Sequence, residues 1–305
     1  MPNLTPNVPA TLAVDCRCYL GEGIVWWARH EALLWTDIEG ARLWRSSPEG
    51  TRNWELPARL GSFAPCTSGA LLLGLEHGLV HAHLDDTAPN GIRMTALADV
   101  EADQPSTRLN DGRTDRSGNF VFGTMNQDDG HPATGSFYQW SRASGLRRLD
   151  LPRVGIANSI CFSPDGGTMY FCDSPRRRIM ACRYDAGAAA VSEIRVFAEL
   201  GPADGFPDGS IVDADGCLWN AAWGAAVVRR YRPDGSIERE VRVPAKNPTC
   251  PAFGGTGFHE LYITTARQEM SPAELETTPE AGGVYRAVFD DVRGLPDEPF
   301  ADSPA

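Results

Sequence analysis

The chain has 305 residues, 42% of them hydrophobic, enough to bury a large core. Its net charge of −12 disfavours nucleic acid or an anionic membrane as a partner, since both are held mainly by basic patches. Eight cysteines are too dilute for a disulfide scaffold, and no run approaches the ~18 apolar residues of a membrane-spanning helix.

Residues Met1 to Ala10 carry no basic stretch followed by an apolar core, so a cytoplasmic protein without an export signal is expected. Leu12 to Tyr19 alternate weakly between apolar and polar. Short β-rich runs then recur at Leu33-Leu34-Trp35, Leu71-Leu72-Leu73, Phe120-Val121-Phe122, Met169-Tyr170-Phe171, Cys217-Leu218-Trp219 and Leu261-Tyr262-Ile263. Their spacing of roughly 38 to 49 residues matches one propeller blade per unit. Turn signals such as Ser117-Gly118 and Asp215-Gly216 precede the runs, and only Pro272 to Thr278 has the makings of a helical turn. The pattern predicts an all-β, six-bladed β-propeller, with residues 1–305 forming a single domain. The N-terminal strand is expected to complete the last blade beside Val284 to Phe289, which removes exposed strand edges. Cysteines inside apolar runs, such as Cys161, Cys172 and Cys182, are expected as buried free thiols.

Pro-Asp-Gly occurs at Asp165, Asp208 and Asp234. Asp165 and Asp234 follow apolar runs and fit ordinary turns. Asp208 instead precedes one, Ser210-Ile211-Val212, which puts it at the opposite end of a strand. Counting eight residues back from the first hairpin turn of each unit gives Glu22, Gly61, Asn110, Asn158, Asp208 and Thr249. These positions start the innermost strands, which ring one mouth of a propeller channel. Glu22, Asn110, Asn158 and Asp208 thus present oxygen donors to a common point, a set suited to a divalent cation: Ca²⁺, Mg²⁺ or Mn²⁺, with Zn²⁺ or Fe²⁺ as further options. Arg108 lies two residues before Asn110, on the same face of an extended strand, with substrate oxygens or a salt bridge to Asp111 or Asp115 as its alternatives. Residues Asn126 to Pro132 form a candidate lid over the mouth.

At these residues the chain resembles the gluconolactonase, regucalcin (senescence marker protein) and luciferin-regenerating-enzyme family. The matching stretches are Leu20-Gly21-Glu22-Gly23, Trp35-Thr36-Asp37-Ile38-Glu39-Gly40, Arg108-Leu109-Asn110-Asp111-Gly112, Asn158 with Ser163-Pro164-Asp165-Gly166, Pro207-Asp208-Gly209, and Pro248-Thr249-Cys250. The resemblance implies one divalent metal held by Glu22, Asn158 and Asp208, with Arg108, Asn110 and Asp128 at the substrate. Two departures stand out: Ile24 where the family has Pro, and Ser159 where it has Gly.

The activity so implied is hydrolysis of a sugar lactone, a pentono- or hexono-1,4- or 1,5-lactone, to its aldonic acid. The metal polarises the carbonyl and Asp208 serves as general base. No Gly-x-Ser-x-Gly elbow supports a serine nucleophile. The alternatives are a metal-dependent esterase or organophosphate hydrolase, a calcium-binding regulatory protein of regucalcin type, and an interaction platform. A small-molecule sugar lactone is the expected partner, and a monomer or small homo-oligomer the expected assembly.

Overall fold

The computed structural model describes residues 8–302, apart from residues 86 and 88. Six four-stranded antiparallel sheets are arranged as a six-bladed β-propeller. The chain begins with β1 (Thr11–Val14) and then lays down blade one as β2 (Gly21–Trp27), β3 (Ala32–Asp37), β4 (Arg42–Ser47) and β5 (Gly50–Glu55). Blade two is β6 (Leu60–Pro65), β7 (Leu71–Leu75), β8 (Gly78–Leu84) and β9 (Ile92–Asp99). Blade three is β10 (Thr107–Thr114), β11 (Phe120–Asn126), β12 (Phe137–Ser141) and β13 (Gly145–Arg148). Blade four is β14 (Ala157–Phe162), β15 (Thr168–Asp173), β16 (Arg178–Asp185) and β17 (Ala190–Glu199). Blade five is β18 (Phe206–Val212), β19 (Leu218–Trp223), β20 (Val227–Tyr231) and β21 (Ile237–Arg242). Blade six is β22 (Asn247–Gly254), β23 (Glu260–Ala266) and β24 (Val284–Val288), closed on the outside by β1.

The closure is the expected one: Thr11 pairs with Arg286 and Val14 with Val284. Pairing the first strand with the last blade means the ring cannot open at the seam without breaking sheet hydrogen bonds. Burial falls from the axis outward. Every residue of β6, β14 and β22 is buried, while five of the six in β5 are exposed. Inner strands are covered on both faces by neighbouring blades, which explains why their sequences run apolar instead of alternating.

Large side chains fill the seams between blades. Leu34, Leu43, Phe63 and Leu73 pack between blades one and two, and Trp219, Phe253 and Tyr285 between blades five and six. The one α-helix among the described residues, α1 (Pro272–Thr277), falls where the helical turn was expected. Ser271 caps it and Glu274 completes a reciprocal capping box. Asp165 and Asp234 are turn residues, each accepting the backbone N–H two residues on. All eight cysteines are free.

Candidate active site

The mouth is built from one device used in every blade. Pairing between the innermost and second strands slips between Glu22 and Val25, Leu60 and Ser62, Leu109 and Gly112, Asn158 and Cys161, Pro207 and Ser210, and Pro248 and Pro251. A β-bulge frees residues from the pleat and re-aims their side chains. Glu22, Gly61, Asn110, Asn158, Asp208 and Thr249 therefore sit at or beside six bulges around one axis.

The register is close but not uniform. Asn110, Asn158 and Asp208 lie eight residues before the hairpin-closing N–H groups of Gly118, Gly166 and Gly216. In blade one the corresponding N–H is that of Glu31, so Glu22 lies one residue nearer the mouth. The cause is a 3₁₀ turn, Ala28–His30, that replaces the Asp-Gly hairpin.

Hydrogen bonds lock the ring laterally. Arg108 Nη1 donates to Asn110 Oδ1 at 2.8 Å and to the Leu109 carbonyl at 2.9 Å. Asn110 Nδ2 then donates to Asn158 Oδ1 at 3.1 Å and to the Ala157 carbonyl at 3.0 Å. Asn158 Nδ2 reaches Ser174 Oγ at 2.9 Å, and that hydroxyl donates to the Pro207 carbonyl at 2.7 Å, beside Asp208. The chain of bonds crosses blades three, four and five. It also fixes Asn158 with Oδ1 on the acceptor side. Arg108 pairs with neither Asp111 nor Asp115: its nearest carboxylate is Glu39, at 4.0 Å.

Backbone fit matters as much as side chains. A Cβ on Gly209 would stand 2.8 Å from Cys250 Sγ and 2.8 Å from the Thr249 carbonyl, so no other residue fits beside Asp208 without moving blade six. Two carboxylates one step back hold the rim: Asp37 accepts the N–H groups of Tyr19 and Leu20, and Asp173 those of Gly155 and Ile156. These are the segments leading into β2 and β14.

The electrostatics are those of crowded negative charge. Burial, then Asp111, pushes the Glu22 carboxyl up to about 8. Burial, then Glu22 and Asp111, raises Asp208 well above the usual carboxylate range. Burial likewise raises Asp111, although its Oδ2 accepts the Ile160 N–H at 2.8 Å. Arg108 is pushed down to about 10 by burial and by Arg59. Like charges this close cannot all stay ionised without a cation among them. The donors are carboxylate and amide oxygens, so the residues fit a hard divalent ion.

A cavity of about 430 Å³ opens above the ring, with Glu22, Arg108, Asn110, Asn158 and Asp208 at its floor and Met125, Ile156, Phe206 and Trp223 on its walls. A larger depression of about 710 Å³ beside Arg116, Asp165 and Tyr184 contains none of the ring. The structure does not bring Asp128 to the cavity. That residue is exposed, its N–H donating to Asn126 Oδ1 at 2.7 Å in a turn that leaves its side chain at the surface. Gly130 and His131 of the same loop line the cavity instead. The sequence marks Asp111 only as an ion-pair alternative for Arg108 and His131 only as part of the lid, and assigns neither them nor Ser159 a place in the site. Asp111 adjoins Asn110 in the motif, and Ser159 had been visible only as a departure from Gly.

A closed propeller with a ring of oxygen donors at one mouth defines a class of propellers with a polar-floored cavity on the axis. Within that class the chain belongs to the SMP-30/gluconolactonase/LRE-like family, whose pattern matches residues 20–267. It is 47% identical over 291 residues to L-arabinolactonase of Azospirillum brasilense, covering 94% of each chain. It is 32% identical over 282 residues to pentonolactonase XacC of Haloferax volcanii, covering 92% of each. Among solved structures, a calcium-binding protein, regucalcin, from Agrobacterium tumefaciens superposes with a TM-score of 0.88 at 31% identity, covering 97% of this chain and 99% of that one.

Proposed function

We propose that the chain, acting as a single domain, is a metal-dependent sugar lactonase that opens a five-carbon aldonolactone to its aldonic acid. The observation that carries this reading is the Glu22–Asn158–Asp208 set, partly buried at Glu22 and buried at the other two, at the floor of a cavity of about 430 Å³. The relatives named L-arabinolactonase and pentonolactonase favour a pentonolactone over a hexonolactone.

Glu22, Asn158 and Asp208 would hold the ion, one of Ca²⁺, Zn²⁺, Mn²⁺, Mg²⁺ or Fe²⁺. When bound, it supplies Lewis acidity at the lactone carbonyl and neutralises negative charge developing there. Asp208 accepts the proton of the attacking water. Its backbone carbonyl is fixed by Ser159 and Asn220, which anchors the residue at the cavity floor. As the ring C–O bond breaks, the alkoxide takes up a proton and leaves as the new hydroxyl, so one water is consumed and one acid formed. Asn110, itself held by Arg108, orients Asn158 by donating from Nδ2 to its Oδ1, so it serves to position a ligand. Apolar walls from Met125, Ile156 and Trp223 thin the water around the reacting carbonyl.

The test is acid release from a panel of pentono- and hexono-lactones by metal-free protein and by protein with each ion restored. Turnover that depends on the ion and favours pentonolactones supports the proposal. Ion binding without turnover on any lactone supports the calcium-binding reading instead.

A further inference from the structure

At the end of the propeller opposite the mouth, the C-terminal segment folds against blade two. The Phe300 N–H donates to the Pro65 carbonyl at 2.8 Å and the Thr67 N–H to the Phe300 carbonyl at 2.9 Å. This brings Asp302 against Cys66, just beyond β6, and His81 on β8. His81 Nε2 lies 2.9 Å from Asp302 Oδ2. One ligand atom from each of Cys66, His81 and Asp302 lies within 4.8 Å of the other two.

Three features set this cluster apart from an ordinary surface latch. The Asp302 carboxylate is only 4% exposed, yet among the described residues its sole ion-pair partner is the His81 imidazole. The Cys66 thiol is 3% exposed and lies beside the Asp302 carboxylate, with the Ala64 carbonyl, at 4.0 Å, too distant to engage it firmly. The second carboxylate oxygen is already oriented by Thr67 Oγ1 at 2.8 Å and the Ser68 N–H at 2.9 Å, the outer support that metal-ligating carboxylates characteristically have.

We propose that Cys66, His81 and Asp302 form a second metal site, for a borderline divalent ion of the Zn²⁺ or Co²⁺ kind, that clips the C-terminal segment onto blade two. Thiolate, imidazole and carboxylate are a donor set that prefers such ions, whereas the all-oxygen mouth has no preference for them over harder ones. Binding releases the thiol proton to solvent. Thiolate and carboxylate then carry two negative charges against the ion's two positive ones, and the buried cluster becomes neutral. With bond lengths of about 2.0 to 2.3 Å a tetrahedral ion spaces its donors roughly 3.3 to 3.6 Å apart, so His81 Nε2 and Asp302 Oδ2 open from 2.9 Å by about 0.4 Å while donors now up to 4.8 Å apart close by roughly 1.3 Å. A fourth position is left for water or for His83, whose ring centroid is 4.9 Å from that of His81.

The experiment is Co²⁺ titration of the metal-free full-length protein, followed by near-ultraviolet absorption. Only a thiolate ligand gives the sulfur-to-cobalt charge-transfer band, so ions at the mouth are silent in it. The expected result is a band saturating at one equivalent, retained in Asp208→Asn, lost in Cys66→Ser and weakened at least tenfold in affinity in His81→Gln. Zn²⁺ should displace it, and should raise the thermal midpoint of Asp208→Asn more than that of the double variant Asp208→Asn, His81→Gln. A parent protein without the band, or a band unchanged in both Cys66→Ser and His81→Gln, overturns the site and leaves a hydrogen-bonded latch only. If Cys66→Ser does not fold, the partly exposed His81→Gln decides alone.

Discussion

Ser159 donates its hydroxyl to the backbone carbonyl of Asp208 at 2.6 Å, across the seam between blades four and five. It does so from a left-handed backbone with φ of +61°. The same hydroxyl accepts from Asn220 Nδ2 at 3.1 Å and from Ser210 Oγ at 3.1 Å. A position that the family fills with Gly is thus spent here on a buried bond to the proposed base. Removing the hydroxyl strands buried partners, at about 1 to 3 kcal/mol. Replacing Ser by Gly loses the same bonds but relieves about 1 to 2 kcal/mol of left-handed strain. Urea unfolding should therefore rank stability as parent, then Ser159→Gly, then Ser159→Ala, and a Ser159→Ala protein as stable as the parent would deny the bond any role.

Asp208 and Glu22 are proposed to ligate the same ion, but only Asp208 is given a proton to move. Asp208→Asn keeps an oxygen donor and loses the base, so at saturating metal kcat should fall by about 10²- to 10⁴-fold. Glu22→Gln weakens ion binding instead, and much of its lost rate should return as metal is raised. Steady-state rates across a metal titration separate the two. If both variants recover equally, Asp208 is a ligand and no more.

The crowding of Glu22, Asp111 and Asp208 makes stability without metal depend on pH in a definite direction. Glu22 in the folded chain is pushed up to about 8, against an ordinary value near ~4.3, and Asp208 moves the same way. The folded state therefore binds protons more tightly than the unfolded one. By linkage, the stability of metal-free protein is lost as pH rises through the window from about 4.5 to about 8. A bound divalent ion reverses the preference for the neutral carboxyls, so the gain in stability on adding metal should grow across the same window. Urea midpoints with and without chelator, taken at several pH values, check this. A metal-induced gain that stays constant with pH would show that the carboxyls are ionised and unstrained without the ion.

The fold was legible because each blade repeats the same physical demands: a Gly-containing hairpin turn at a fixed interval and an apolar strand covered on both faces. Asn110, Asn158 and Asp208 were legible for the same reason, since turn-to-mouth distance is set by strand length. Glu22 was found despite the count being one residue off, because its 3₁₀ hairpin carries no Asp-Gly signal. What sequence hid was lateral. Asp111 enters the channel because a bulge follows Leu109, Asp37 holds the N–H groups of Tyr19 and Leu20, and Arg108 is drawn to Asn110 and Glu39 instead of Asp111 or Asp115. Contacts between blades have no period along the chain. The lid loop shows the same limit: its presence over the mouth followed from connectivity, but which of its side chains turns inward depends on an Asx turn at Asn126.

That turn separates Asp128 from His131. Asp128 is carried to the surface, whereas the His131 ring lines the cavity with Nδ1 2.8 Å from the Asn126 carbonyl. A carbonyl only accepts, so Nδ1 carries the proton, and Nε2 of the neutral ring keeps a lone pair for a substrate hydroxyl. Asp128→Ala should leave kcat/KM within about twofold of the parent. His131→Ala should remove a hydrogen bond of about 0.5 to 1.5 kcal/mol, a loss of roughly 2- to 10-fold that falls on KM more than kcat. Steady-state kinetics of the two variants on one pentonolactone decide the matter: a large loss in Asp128→Ala with none in His131→Ala would mean that the loop closes over substrate with the opposite face inward.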